Sequence, residues 1–304
     1  MNSSWYSGYG EEKFVLDGIS SIIQNGYCVI PGSVCEELVD AATNAYERLK
    51  QSEIVPKTSQ LTEGEDYVDG KFRRMVNMHL RLPEFSDLFS SNKALSVVDR
   101  LFDEPATLYT SLFFEIGSAQ NCHRDTPYFW TNPGYSYFGV WLALEDVNED
   151  NGALVVIPGS HKVMDDPKFL EEVGKIDCDA DGVPKAHSPM LWNTYQSAVH
   201  KRCMELGLKE TPISVKKGDT IIWHPQLMHG GYKIANTTRS RKSFVMHVTP
   251  KHMNVFVQDK FFSPSTYAQL PPKNPELSYI TNRNGREVRN DGLWAICQKI
   301  YLPA

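Results

Sequence analysis

Cysteine is scarce and scattered: six residues, Cys28, Cys35, Cys122, Cys178, Cys203 and Cys297, stand in a chain of 304. None forms a Cys-x-x-Cys pair, which removes the local signature of a zinc or dithiol site and leaves reduced, buried thiols as the expectation. No apolar run approaches the roughly 18 residues that cross a bilayer. The opening Met-Asn-Ser-Ser-Trp-Tyr has neither the basic nor the apolar stretch of a secretory leader. Positive charge is also short, 31 Lys and Arg against 37 Asp and Glu for a net charge of −6. Such a balance provides no field for nucleic acid or an anionic membrane. Repeats and low-complexity tracts are absent. The expectation is a soluble, cytoplasmic globular protein, monomer or homodimer, whose partner is a small molecule.

What is present changes in texture along the chain. Residues 12–24 carry Phe14, Leu16, Ile19, Ile22 and Ile23 at helical spacing before Gly26, and Tyr27–Ile30 reads as a short strand. Ser33-Val-Cys-Glu36 has the form of a capping box ahead of an apolar face through Val34, Leu38, Ala41, Ala42, Ala45 and Leu49. Residues 52–72 read as an exposed polar loop, and 86–102 as one further helix. Strands follow at 107–116, 136–147, 153–157, 213–215, 220–223 and 241–248. In the second of these Phe138, Val140, Leu142 and Leu144 share one face and Tyr137, Gly139, Trp141 and Ala143 the other, so that strand is covered on both sides. Residues 160–210 lack periodicity and read as a long functional loop or a peripheral insertion. A polar, proline-rich tail from Pro250 ends in an amphipathic segment at 293–301.

The chemistry begins at His123-Arg-Asp125. In an extended segment His123 and Asp125 point to one side while Cys122 and Arg124 point to the other. A second histidine would complete the 2-His-1-carboxylate face that suits non-haem Fe(II) and O2 chemistry. His229 is the best candidate, following a strand and preceding Gly230, with His224 as its competitor. His161, His187, His200, His247 and His252 lack a partner at ligand spacing and read as structural or exposed. Beyond the histidines lies Arg241, whose guanidinium can hold a carboxylate through two parallel hydrogen bonds. It suits the far carboxylate of 2-oxoglutarate, whose 2-oxo-acid end chelates the metal. Arg239 has the same strand parity and stands as the alternative.

Taken together, the chain resembles the phytanoyl-CoA dioxygenase-like family of Fe(II)- and 2-oxoglutarate-dependent oxygenases. The resemblance rests on His123-Arg-Asp125, Val140-Trp-Leu-Ala-Leu-Glu-Asp-Val147, Asn151-Gly-Ala-Leu-Val-Val-Ile-Pro-Gly-Ser-His-Lys162, Gly218-Asp219, His224-Pro, His229-Gly230 and Arg241-Lys242. It covers roughly residues 105–250. It implies a mostly β fold with flanking helices, a double-stranded β-helix (jelly-roll, cupin-like) barrel core with the N-terminal helices packed on one sheet. A single domain then spans 1–304, with a mainly helical part at 1–104, the core at 105–250, an insert at 160–210 and a C-terminal extension at 251–304. It also implies His123, Asp125 and His229 as catalytic iron ligands, Arg241 as the 2-oxoglutarate anchor, and Trp141 beside the cosubstrate. The block at 151–162 reads as scaffold. Gly230-Gly231 departs from the Gly-Ser of many members and lacks that hydroxyl.

The implied reaction couples decarboxylation of 2-oxoglutarate, to succinate and CO2, with O2-dependent hydroxylation of an unactivated C–H bond. Desaturation and ring closure are alternative outcomes of the same chemistry. Retention of Asp125 argues against chlorination, since related halogenases replace that carboxylate with a small residue. For substrate contacts the candidates are Tyr128, Phe129 and Trp130, directly after the iron pair, which read equally as core, then Trp192, Tyr195, His200 and Arg202 in the insert, and last Arg73, Arg74 and His79 in the N-terminal part. A small natural product or other metabolite is the first expectation, because an acyl-CoA would ask for a basic surface. Two other classes compete: a non-catalytic barrel binding a metal or carboxylate, and a zinc hydrolase on the same triad.

Overall fold

A computed structural model describes residues 9–52, 66–68, 70–269 and 280–289. The N-terminal part is α1 (Tyr9–Asn25), β1 (Tyr27–Ile30), α2 (Glu36–Gln51), β2 (Asp66–Val68), β3 (Lys71–Val76), α3 (Met78–Arg81), α4 (Pro83–Ser90) and α5 (Leu95–Phe102). Next come β4 (Thr107–Phe114), β5 (Trp130–Thr131), β6 (Phe138–Ala143), β7 (Leu154–Val156), α6 (Pro167–Gly174) and α7 (Pro189–Glu205). The chain continues through β8 (Thr211–Ile213), β9 (Thr220–Trp223), β10 (His229–Gly231), β11 (Ser243–Thr249), β12 (Val255–Phe256), α8 (Gln258–Phe261), β13 (Ile280–Arg283) and β14 (Arg286–Arg289).

Two sheets face each other in a jelly-roll core. The larger runs β1-β9-β6-β11-β4-β14-β13, with β3 also on β4 and β2 on β3, and the smaller runs β10-β7-β8. Alternation along the strands sorts the side chains into two cores. Phe138, Val140 and Leu142 of β6, Ile222 of β9 and Phe244, Met246 and Val248 of β11 pack with Val39, Tyr46, Phe85, Leu88 and Val98 of the helices. Opposite-parity residues Trp141, Ala143, Ile221, Trp223 and Val245 meet Leu154, Val156 and Ile213 of the small sheet. β6 is therefore buried on both faces, as its sequence predicts, and the helices cover one sheet.

Several local expectations fail for identifiable reasons. The capping box does not form: α2 begins at Glu36 without a side-chain cap. Ser33 instead donates to the Gly218 carbonyl at 3.0 Å and meets Thr220 Oγ1 at 2.6 Å, drawn into the sheet. The expected helix at 86–102 is two, split where buried Asn92 accepts from the Ala94 amide at 2.9 Å and donates to Thr220 at 3.0 Å. Of the expected polar loop at 52–72, residues 53–65 and 69 lie outside the described residues, while β2 and the start of β3 take up 66–68 and 71–72; Phe72, Met75 and Val76 of β3 are buried.

The 160–210 stretch is not a loop: it holds α6 and α7, each begun by a capping side chain and a proline. Asp166 accepts from Lys168 at 3.0 Å before Pro167, and Ser188 from Leu191 at 3.2 Å before Pro189. Arg241 precedes β11 rather than starting it. Of the cysteines, Cys28 and Cys203 are buried, Cys122 and Cys178 half-buried and Cys35 exposed, while Cys297 and the expected segment at 293–301 lie outside the described residues. The β13–β14 hairpin is clasped onto the helices by paired bonds from Arg283 to Asp87 at 2.8 and 2.9 Å and from Arg286 to Asp99 at 3.0 and 2.8 Å. No described helix is long and apolar enough to cross a membrane.

Candidate metal centre

The backbone brings the two histidines together before any side chain is considered. His123 donates its amide to the His229 carbonyl at 2.8 Å and accepts from the His229 amide at 2.9 Å, so a single antiparallel bridge seats the His-x-Asp segment beside β10. Glycine makes this approach possible. A Cβ at Gly230 would lie 2.6 Å from the Gln120 carbonyl, and one at Gly231 2.8 Å from the Ala119 amide. The serine common at the second position would have to displace that backbone.

Side-chain geometry follows from which nitrogen is already used. A carbonyl only accepts, so Nδ1 of His123, 2.9 Å from the Asn121 carbonyl, and Nδ1 of His229, 3.0 Å from that of Leu227, both carry protons. The Nε2 lone pairs then face Asp125, that of His123 3.4 Å from Oδ1 and that of His229 3.4 Å from Oδ2. One ligand atom from each of the three buried residues lies within 4.8 Å of the others. Lone pairs converging on a carboxylate repel one another; a cation among them turns the repulsion into attraction. The donor set, two neutral imidazoles and one carboxylate, is that of a metal site with open positions.

Electrostatics agree. Burial would raise the Asp125 pKa, but charge on His229 and N–H bonds from His123 and His247, available where those imidazoles carry the proton, outweigh burial and hold it well below the ordinary carboxylate range. His229 is pushed down to about 4 by burial, against the pull of Asp125. Asp125 also accepts at Oδ2 from Trp223 Nε1–H and His247 Nε2–H, each at 3.3 Å. His247 had read as merely structural; no spacing rule connects it with Asp125. His224 stays out of the triad, accepting from the Gln226 amide at 3.1 Å and packing on His161.

Arg241 is buried, its guanidinium 5.5 Å from the Phe114 ring and 5.6 Å from that of Trp141. One Nη bonds Ser243, its Nε has no partner among the described residues, and burial pushes its pKa down to about 10. Phe114 and Trp141 belong to the same interior core as Trp223, which touches both Asp125 and His229. Arg239 instead reaches Asn148 and the Asp146 carbonyl near the surface. A buried cation without a carboxylate partner among the described residues fits an anionic ligand in that interior.

The remaining candidates separate. Tyr128 and Trp192 pack on each other at 5.0 Å, and Trp192 packs on His123 at 5.6 Å. Phe129 stacks on His247 at 4.2 Å. Trp130 is core, packed on Phe256 among Leu170, Val173 and Leu191. The structure does not bring Arg202 to the site: it is exposed on α7 and pairs with Glu205. Tyr195 lies behind the metal pair, bonding Asp165 and Arg124, and His79 bonds Ser111. A cleft of about 540 Å3 runs beside His123, between residues 120–123 and an α7 face bearing Trp192, Asn193, Gln196, Ser197, His200 and Lys201.

Sequence reasoning missed Gln196. Its side-chain amide accepts from the Arg124 amide and donates to the Arg124 carbonyl, both at 2.8 Å, clasping the residue between the two metal-facing side chains. Arg124 itself is fully buried and bonds Asp165 and the carbonyls of Ser160 and Val163. The His-x-Asp strand is thus braced from behind by the insert.

Comparison with known proteins bears on the family and the fold. A curated relative, the phytanoyl-CoA dioxygenase domain-containing protein 1 homolog of Caenorhabditis briggsae, is 25% identical over 71% of this chain and 71% of its own. The peroxisomal phytanoyl-CoA dioxygenase of Homo sapiens is 24% identical over 68% of this chain and 60% of its own. Among solved structures, the non-heme alpha ketoglutarate dependent carbocyclase SnoK from nogalamycin biosynthesis shares the fold at a TM-score of 0.60 and 16% identity, covering 91% of this chain and 98% of that one. The family model for phytanoyl-CoA dioxygenase (PhyH) matches residues 22–243. With most of its length so matched, the chain belongs to the phytanoyl-CoA dioxygenase family.

Proposed function

We propose that the protein is an Fe(II)- and 2-oxoglutarate-dependent dioxygenase that hydroxylates an unactivated C–H bond of a small polar molecule, a natural-product intermediate or other metabolite. The observation that carries this reading is the convergence of two unprotonated imidazole nitrogens and one carboxylate oxygen beside a core that also holds a buried arginine without a carboxylate partner among the described residues. His123, Asp125 and His229 would hold the iron, and Arg241, walled by Trp141 and Phe114, the distal carboxylate of 2-oxoglutarate. Iron with this cosubstrate supplies O2 activation. The chain's own work is to orient: Nδ1–H bonds fix both imidazoles, and the apolar interior keeps water from Arg241, strengthening its ion pair.

The substrate class follows from the cleft beside His123. Apart from Trp192 and Cys122 its lining is polar, which offers hydrogen bonds to a polar ligand and no apolar wall for an acyl chain. Its size suits one small ligand. The human relative's name favours an acyl-CoA, which stands as the second reading. Protein reconstituted anaerobically with Fe(II), then given 2-oxoglutarate, O2 and metabolite mixtures, is expected to release succinate and add one oxygen mass to one component. Asp125→Ala is expected to do neither. Full activity in that variant would overturn the ligand assignment, and activity on acyl-CoA alone would overturn the substrate class.

A further inference from the structure

The two oxygens of Asp125 are not equivalent. Among the described residues Oδ1 has His123 Nε2 facing it, at 3.4 Å, and no N–H donor. Oδ2 faces His229 Nε2 at the same 3.4 Å and in addition accepts from two buried N–H donors, Trp223 Nε1 and His247 Nε2, each at 3.3 Å. We propose that His247 and Trp223 are positioning residues that tie Oδ2 of Asp125, so that the carboxylate meets a metal through Oδ1 alone. This rests on the metal-centre reading above.

Both donors are themselves held. Trp223 pairs with Gly139 across β9 and β6, and its indole crosses that glycine so closely that a Cβ there would lie 2.0 Å from the ring. Only glycine leaves room for the ring to lie flat on β6 and aim its N–H at Asp125. His247 lies on β11 next to a register shift against β4, where a bulge re-aims side chains. Its ring is stacked on Phe129 at 4.2 Å and 17°. Since a carboxylate only accepts, the His247 proton sits on Nε2, and its Nδ1 has no partner among the described residues. Phe129, expected as a substrate contact, is thereby the backing of the imidazole that holds Asp125.

The consequence is coordination number. A carboxylate with two free oxygens can close on a metal through both and occupy two positions; with Oδ2 engaged it takes one. The position so kept remains open to exogenous ligands.

Co(II) reports this directly, because its visible absorption weakens as coordination number rises. Full-length protein is titrated with Co(II) alone, without 2-oxoglutarate. His247→Gln keeps an N–H near Nε2 and is expected to bind within about threefold of wild type with the same spectrum. His247→Phe keeps the stacking but removes the donor, and about 10–100-fold weaker binding is expected, with a weaker absorption band. Trp223→Phe is expected to act in the same direction, which covers the case of an unfolded His247→Phe, judged by circular dichroism. Wild-type affinity and spectrum in folded His247→Phe and Trp223→Phe would overturn the proposal, as would equal damage from Gln and Phe at 247. Undiminished Co(II) binding by Asp125→Ala would overturn the metal-centre reading instead, so the two failures are distinct.

Discussion

Replacing Arg241 with methionine should stabilise the free protein and abolish its response to 2-oxoglutarate. Burial, only partly offset by the charge of Glu145, lowers the guanidinium pKa to about 10, which corresponds to a net cost of roughly 3 kcal/mol. Opposing it are the bond to Ser243 and the faces of Phe114 and Trp141, together about 2 kcal/mol. Methionine fills a similar space without charge, so a net gain of about 1 kcal/mol follows, a rise in Tm of about 2 °C for a chain of this size. The ligand term is larger. Breaking a buried carboxylate–guanidinium pair costs about 3–5 kcal/mol, or at least 100-fold in Kd at about 1.4 kcal/mol per decade. Thermal melts with Mn(II), with and without 2-oxoglutarate, read both effects. A lower Tm in Arg241→Met together with a retained 2-oxoglutarate shift would refute the reasoning, and loss of the shift in Arg239→Met instead would move the anchor there.

Gln196→Met removes both bonds to Arg124, leaving a buried amide and carbonyl unpaired; a loss of about 2–4 kcal/mol in chemical denaturation is expected, together with weaker Co(II) binding. An unchanged denaturation midpoint would mean the clasp is not formed. Gly139→Ala should destabilise by about 1–3 kcal/mol and weaken metal binding, because the new methyl pushes the Trp223 ring off Asp125; wild-type metal affinity in this variant would count against that route. Burial depresses His79 to about 3 and His224 and His229 to about 4. The unfolded chain takes up protons near pH 6.5 that the folded chain refuses, so metal-free stability should be full above 6.5 and fall between 6.5 and about 4. A urea midpoint that holds steady from pH 7.5 to 5 would contradict this.

The parity of His123 and Asp125 was legible because it needs only an extended backbone, and two-sided burial of β6 followed from its unbroken apolar run. Arg241 and Arg239 share parity and are separated only by burial, which depends on the whole sandwich. Gln196, Trp223 and His247 were illegible for a different reason: each reaches the 123–125 segment through one or two hydrogen bonds across the fold, at separations no spacing rule marks. α7 hid because its buried face mixes Leu191 and Val199 with Gln196 while Met190 and Met204 are exposed, blurring the apolar stripe. Its start was nevertheless written in Ser188-Pro189, as that of α6 was in Asp166-Pro167. The Ser33–Glu36 capping box misled because Ser33 found Gly218 and Thr220 across the fold.

The paired backbone of His123 and His229 sets the span between the two imidazole nitrogens in a way that side-chain freedom does not. A hydrogen-bonded antiparallel pair holds its Cα atoms about 5.5 Å apart, and each ring is pinned at Nδ1 to the carbonyl two residues before it in the chain. The bite of the two nitrogens is therefore a property of peptide geometry. Ions of different radius must adjust to it, mainly by moving along the axis toward or away from Asp125. Metal preference should accordingly track ionic radius more steeply than in a site whose histidines sit on separate loops.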